Sequence, residues 1–128
     1  MDNERIVDYW LSEGEQALDV ARHLFEKGDY SYALFFGHLA VEKVLKAIHV
    51  RKVDQQAPRL HNLLRLALEA GIEVTNEQKQ VLIRITAFNL ESRYPDYNRE
   101  FRKKCTPQFT RQELVQIEEI FKWLKLKL

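Results

Sequence analysis

The residues best suited to chemistry lie in two stretches of this sequence. The first is YALFFGHLAVEKVLKAIHV, residues 32–50, which holds His38, Glu42 and His49 among apolar neighbours. The second is residues 93–111, where six cations face only two acids. Imidazole and carboxylate groups pair with cations or exchange protons, whereas clustered cations bind phosphate. The first stretch therefore suggests ion pairing or proton transfer, and the second suggests anion binding.

The polar groups of residues 32–50 share one side of a predicted helix. On a helical wheel His38, Glu42 and His49 fall in one narrow stripe, and the rest of the surface is largely apolar, as in a central helix. Two explanations stay open: a stripe that faces solvent or hydrogen-bonds to a neighbouring helix, or a buried Glu42 carboxylate facing a cation from another helix. A metal site is not expected, because two ligands spaced four residues apart are too few.

The basic stretch predicts a phosphate-binding surface, with a solvated basic loop as the alternative. Cations bind phosphate and the interleaved aromatic rings stack on bases. Arg93 is singled out because it precedes a Tyr-Pro turn, and we expect Glu42 to pair with it, either to orient it for a ligand or to lock two helices together. The candidate phosphate-binding residues are Arg93, Tyr94, Tyr97, Asn98, Arg99, Lys43 and Lys46, with Glu42 as the orienting group. No catalytic residue and no cofactor is assigned.

Five helical segments are predicted to position these stretches. Helical spacing and end signals place them at about residues 3–27, 29–51, 60–70, 75–92 and from 110 onward. Thr75 with Gln78, and Thr110 with Glu113, have the capping-box spacing that opens a helix. Pro95 is expected to break the pattern after the fourth segment. The predicted fold is an all-α, antiparallel up-and-down bundle of four to five helices, forming one domain over residues 1–128.

Composition and charge limit the partners and the cellular compartment that we expect for this protein. The net charge is +1, so any affinity for nucleic acid must come from a local cluster. The one cysteine, Cys105, fits a reducing compartment, and nearby cations are expected to lower its pKa. The sequence begins with charged residues and has no apolar run of about 20 residues, so we expect a cytoplasmic protein that does not enter a membrane. His61 is expected to be a neutral, hydrogen-bonded structural histidine at a helix start.

Three segments carry a resemblance to a known family. The segments resemble, in order and spacing, the second helix, the third helix and the Arg-Tyr-Pro element after the fourth helix of the HEPN family; they are YSYALFFGHLAVEKVLKAIHV at residues 30–50, HNLLRL at residues 61–66 and ESRYPDY at residues 91–97. The resemblance implies a helical bundle, usually a homodimer, that binds a nucleotide or RNA. It also implies a minimal nucleotidyltransferase as a partner, as in toxin–antitoxin pairs.

The sequence departs from the ribonuclease members of that family. Those members use an arginine followed, after four to six residues, by a histidine, whereas every histidine of this chain precedes Arg93. Asn98, which follows Arg93, cannot shuttle a proton near neutral pH. The leading interpretation is therefore a non-catalytic module that binds nucleotide or RNA phosphate and acts beside a nucleotidyltransferase. A ribonuclease toxin with an altered site, and a structural dimer or adaptor without a ligand, are the alternatives.

Overall fold

The computed structural model describes residues 3–53 and 56–128, except for the side chains of residues 95–98, and it is all-helical over these ranges. The six helices are α1 (Asn3–Glu26), α2 (Tyr30–Val53), α3 (Leu63–Glu69), α4 (Asn76–Arg93), α5 (Pro95–Lys104) and α6 (Pro107–Lys125). The predicted all-α bundle is confirmed. No helix in the described ranges is both long enough and apolar enough to cross a membrane.

Helix α2 forms the centre of the bundle, as its wheel predicts. It packs against α1, α3, α4 and α6, and its apolar residues from Ala33 to Val50 supply much of the core. Gly37 permits the close approach of α6, because a Cβ atom there would lie 2.6 Å from Cδ1 of Ile117. On α1, a Cβ on Gly14 would lie 3.2 Å from the Ala40 carbonyl oxygen. Because glycine has no side chain, these two positions allow α6 and α1 to pack closely against α2.

Helix boundaries follow local signals. Gly28, at φ 84°, makes the turn after α1 in a conformation that other residues rarely adopt. The predicted capping box of α4 is confirmed: the Thr75 hydroxyl accepts from Gln78 N, and the Gln78 side chain accepts from Thr75 N. Asn62 caps α3 by accepting from Arg65 N. The loop before α3 is thus tied to the helix that follows it.

The predicted end of the fourth helix before Pro95 is confirmed, because α4 ends at Arg93, but the prediction of no helix between there and Thr110 is wrong, because Pro95 opens α5. Proline fits the first position of a helix, where its fixed φ is favourable and no N–H is needed. Phe101 of α5 is buried and its ring centroid lies 5.5 Å from that of Phe88. The basic stretch is therefore largely a helix held against the core, rather than a loop.

The predicted start of the last helix at Thr110 is also wrong. Helix α6 begins one turn earlier, where the Thr106 hydroxyl accepts from Phe109 N at 3.1 Å. Thr110 is buried inside the helix and donates to the Thr106 carbonyl oxygen. Glu113, the expected partner in the capping box, instead accepts from Arg84 Nε at 2.7 Å.

Candidate functional site

The Glu42 carboxylate lies at the centre of a buried polar network. Its side chain is 6% exposed, and its Oε2 accepts from Lys46 Nζ at 3.1 Å. Its Oε1 lies 2.9 Å from Nδ1 of His61, the residue just before the cap of α3. A carboxylate accepts, so Nδ1 carries the hydrogen in this pair. One cation of α2 itself and one imidazole from another segment thus satisfy the buried acid, as a buried charge requires.

His38 holds the His61 backbone in place. His38 is fully buried, its Nε2 lies 3.2 Å from the His61 carbonyl oxygen and its Nδ1 has no partner among the described residues. Burial, the largest influence, lowers the pKa of His38 below its ordinary value, against the opposing effect of Glu42. The stripe of His38, Glu42 and His49 is therefore buried and does not face solvent.

The expected pairing of Glu42 with Arg93 is not formed. Glu42 is occupied by Lys46 and His61, while Arg93 Nη1, at the end of α4, donates to Asn89 Oδ1 at 3.5 Å. Because Lys46 is four residues after Glu42 on the same helix, it reaches the carboxylate without any contribution from α4. The acid therefore orients Lys46 and His61 rather than Arg93.

The two candidate lysines lie against α1. Lys43 Nζ and Lys46 Nζ are 5.5 Å and 5.3 Å from the centroid of the Trp10 ring, within the range of cation–π attraction. Leu63, two residues after His61, donates its N–H to Thr86 at mid-α4. Arg93 is seven residues beyond Thr86, about 10 Å along the helix axis. Lys43 and Lys46 thus share no contact with Arg93, and the predicted site divides into two parts.

The second part is an exposed cationic surface where α4 meets α5. Arg93, Tyr94 and Arg99 are exposed, and we call this group the α4–α5 surface. The last turn of α5 carries three further cations, Arg102, Lys103 and Lys104, of which Lys103 pairs with Glu100 at 3.6 Å. Tyr97 and Asn98 have their backbone in α5, but their side chains lie outside the described part of the chain. A guanidinium that bonds to a neutral amide keeps its charge available for an anion.

An apolar stripe, which the sequence analysis missed, runs along α4 beside Arg93. Ile83, Leu90 and Tyr94 are 50%, 46% and 52% exposed. Their spacings of seven and four residues place them on one helix face. The sequence contains this spacing in QKQVLIRITAFNLESRY, residues 78–94, so the stripe could have been noticed. Spacing alone, however, does not show which face of a helix is packed against the core and which is exposed.

The remaining candidate residues are Cys105 and the histidines. Burial raises the pKa of the Cys105 thiol to about 11, so the expected lowering by nearby cations is wrong. His61 is hydrogen-bonded, as expected, but its ring is 58% exposed. In residues 3–53 and 56–128, no three His, Cys, Asp or Glu side chains are grouped so that they could hold a metal ion.

Comparisons with known proteins agree with this architecture. The sequence matches the HEPN domain family over residues 7–127. The fold is similar to that of the crystal structure of TT1696 from Thermus thermophilus, with a TM-score of 0.80 at 21% identity, covering 95% of this chain and 98% of that one. At that identity the likeness concerns the fold alone. A search of curated proteins finds no significant match.

Proposed function

The chain belongs to the HEPN domain family, and from this membership we propose that it is a non-catalytic module that binds nucleotide or RNA phosphate on the α4–α5 surface. The observation that supports this proposal is the state of Arg93: it is exposed, and its guanidinium bonds to the neutral Asn89 amide rather than to Glu42. Exposed Tyr94 adds an aromatic face that a base can stack on. In the proposal Tyr97 and Asn98 lie at the same surface, and Lys43 and Lys46 contribute only long-range positive potential.

The chemistry of the site favours binding over cleavage. RNA cleavage without a metal needs a group that moves protons near neutral pH, most often an imidazole. His61 is hydrogen-bonded to Glu42, His38 is hydrogen-bonded to the His61 carbonyl oxygen, and His49 is buried in α2. Arg93 can hold a phosphate, but the sequence supplies no histidine after it. The proposed role is therefore recognition, and a ribonuclease with an altered site is the outcome that would displace it.

The proposed assembly is a homodimer formed through the apolar stripe. Ile83 and Leu90, two large aliphatic side chains exposed on one helix face, are costly to leave in water and are typical of surfaces covered by a partner, whereas Tyr94 at the end of the stripe stays accessible to a base. A second copy packed on Ile83 and Leu90 would place two α4–α5 surfaces in one assembly. A minimal nucleotidyltransferase as a further partner, as in a toxin–antitoxin pair, is supported by the HEPN family resemblance alone.

The RNA-binding part is tested with a fluorescein-labelled RNA oligonucleotide, using fluorescence anisotropy at two salt concentrations. Arg93→Ala should weaken binding about 10- to 100-fold, since one charge-assisted bond to phosphate is lost, and reduce the salt slope by about one. Arg65→Ala, which removes an exposed arginine of α3, is the matched control. If folded Arg93→Ala binds RNA as tightly as the native chain, the surface is wrongly assigned.

The same preparations decide between binding and cleavage. With metal ions chelated, we expect a mixed RNA pool to stay intact after incubation with the native protein. Cuts that disappear in Arg93→Ala would establish the ribonuclease alternative. No RNA binding at any salt concentration, with an intact dimer, would leave the adaptor alternative.

The dimer is tested by light scattering coupled to size-exclusion chromatography. Leu90→Glu places a charge in the stripe and should give a monomer, whereas Val115→Glu, at a similarly exposed apolar residue of α6, should not change the mass. A native chain that elutes as a monomer at high concentration would contradict the assembly.

A further inference from the structure

A cleft lies away from the α4–α5 surface, between the start of α1, the C-terminal half of α2 and residues 56–59. Its volume is about 600 Å³, in the range of small-molecule sites. Ile6, Trp10, Val50 and Pro58 form much of its wall, which is mainly apolar. None of the residues of the α4–α5 surface lines it. The cleft is therefore independent of the proposed RNA site.

The charged groups of this cleft are positive. Lys46 and Arg59 line it, and the lining residues include no carboxylate among the described part of the chain. The nearest acid in the network, Glu42, is buried and already shared between Lys46 and His61. On α1, Glu4 is paired with Arg51 at 2.6 Å. An anion that enters the cleft thus meets cations without meeting an unpaired acid of this network.

Lys46 is held in position to receive an anion. Its side chain is 10% exposed, and its ammonium lies between Glu42 Oε2, at 3.1 Å, and the Trp10 ring. An ammonium group has three N–H donors, and Glu42 takes one of them. The indole and the carboxylate therefore fix the lysine while leaving donors for a ligand. A pre-positioned cation binds a ligand without the cost of ordering a long side chain.

We propose that this cleft binds a small aromatic organic anion. Its flat apolar ring system lies against Trp10 and Val50, and its single acidic group lies between Lys46 and Arg59. Apolar walls with a few placed polar groups recognise such a molecule, because burial provides affinity and the ion pairs fix its orientation. The proposal does not depend on RNA binding, since Arg93, Tyr94 and Arg99 of the α4–α5 surface do not line the cleft and the ligand is of a different class.

The test uses 8-anilinonaphthalene-1-sulfonate, an aromatic monoanion, as the probe on the native full chain. In a Trp123→Phe background Trp10 is the only tryptophan, so its emission reports probe binding, and the variants at Arg59 and Lys46 then locate the bound probe. We expect saturable binding of one probe per chain, with quenching of Trp10 emission. N-phenyl-1-naphthylamine has the same rings without the sulfonate, and it should bind at least tenfold more weakly.

Variants separate the cleft from the rest of the surface. Arg59→Gln, at an exposed residue, should weaken binding of the sulfonate probe at least tenfold and leave binding of the neutral probe unchanged. Lys46→Met combined with Glu42→Gln, which leaves no stranded charge in the buried network, should do the same, and Arg65→Gln is the matched control. Arg93→Ala should not affect the probe, so the two proposals can fail separately. Equal binding of both probes, no quenching of Trp10, or an unchanged affinity in Arg59→Gln would overturn the proposal.

Discussion

Glu42→Gln is the substitution that most directly tests the buried network. Gln keeps the size of Glu and an oxygen that can accept from His61 Nδ1. It replaces one carboxylate oxygen with an amide NH2, which is a donor, so a single oxygen remains where two now serve Lys46 Nζ at 3.1 Å and His61 Nδ1 at 2.9 Å. The ammonium of Lys46 loses its counter-charge in a site where its side chain is only 10% exposed.

The size of the effect follows from this burial. Removing one member of a buried ion pair costs about 3–5 kcal/mol, because the remaining charge stays buried without compensation. Lys46 retains its contact with the Trp10 ring, about 0.5–2 kcal/mol, and it borders an open cleft. We therefore expect Glu42→Gln to lower the free energy of unfolding by about 2–4 kcal/mol, a large share of the roughly 5–15 kcal/mol typical of a domain.

Urea denaturation followed by circular dichroism measures this loss. With an m value of about 1–3 kcal/mol/M, a loss of about 3 kcal/mol moves the midpoint by about 1–3 M. Glu69→Gln is the matched control: its carboxylate also accepts from a cation four residues away, but the side chain is 41% exposed. Such an exposed pair contributes about 0.5 kcal/mol or less.

A double variant separates the ion pair from other effects of the substitution. Adding Lys46→Met to Glu42→Gln removes the stranded charge while keeping an apolar stem of similar length. We expect the double variant to recover about 1.5–3 kcal/mol relative to the sum of the single losses. The reasoning is refuted if Glu42→Gln moves the midpoint no further than Glu69→Gln, or if the losses simply add.

Three further predictions concern other buried positions. Gly37→Ala should cost about 1–3 kcal/mol, because its Cβ would lie 2.6 Å from Ile117 Cδ1, and the cost should fall in an Ile117→Val background that lacks this atom. Burial lowers the pKa of His38, so the unfolded chain binds the extra proton as the pH falls through the ordinary value of 6.5. The free energy of unfolding should decrease below that pH, and His38→Gln should remove this part of the pH dependence. Cys105, whose pKa is raised to about 11, should react at least 100-fold more slowly with Ellman's reagent at pH 8 than it does in urea.

Each of these predictions has a clear contrary result. An equal cost of Gly37→Ala in both backgrounds would show that Ile117 is not the obstacle. An identical pH profile for native protein and His38→Gln would show that the imidazole does not contribute to acid destabilisation. Rapid labelling of Cys105 in the native protein would show that the α5–α6 junction opens readily.

The sequence predicted helices best where only one local signal, such as a single capping motif, was present. Helix α2 is recognisable in the sequence because its surface is apolar almost all round. The start of α4 is recognisable because the side chains of Thr75 and Gln78 each accept a hydrogen bond from the other's backbone N–H. The start of α6 was misplaced because Thr110 with Glu113 has capping-box spacing, whereas Thr106 followed by Pro107 was the signal used by the chain. Helix α5 was missed because a proline that ends one helix also fits the first turn of another.

The candidate site was predictable only in part, since its contacts join distant segments. The wheel correctly grouped Glu42 with His38, but the partner of Glu42 depends on where the loop before α3 lies. His61 is 19 residues beyond Glu42, and nothing in the spacing brings the two together. The expected pairing of Glu42 with Arg93 needs a contact between two separate helices, which no spacing in the sequence indicates. Lys46, four residues away on the same helix, was the nearer cation.

The turn at Gly28 has a consequence for the order of folding. It joins α1 and α2, each 24 residues long, so their extensive packing forms between segments adjacent in the chain. Contacts of short sequence separation cost little loop-closure entropy and form early. We expect the α1–α2 hairpin to be largely assembled in the folding transition state, with α6 docking afterwards. Substitutions that destabilise the α1–α2 interface should then slow folding. Substitutions that weaken the packing of Ile117 of α6 against α2 should mainly accelerate unfolding.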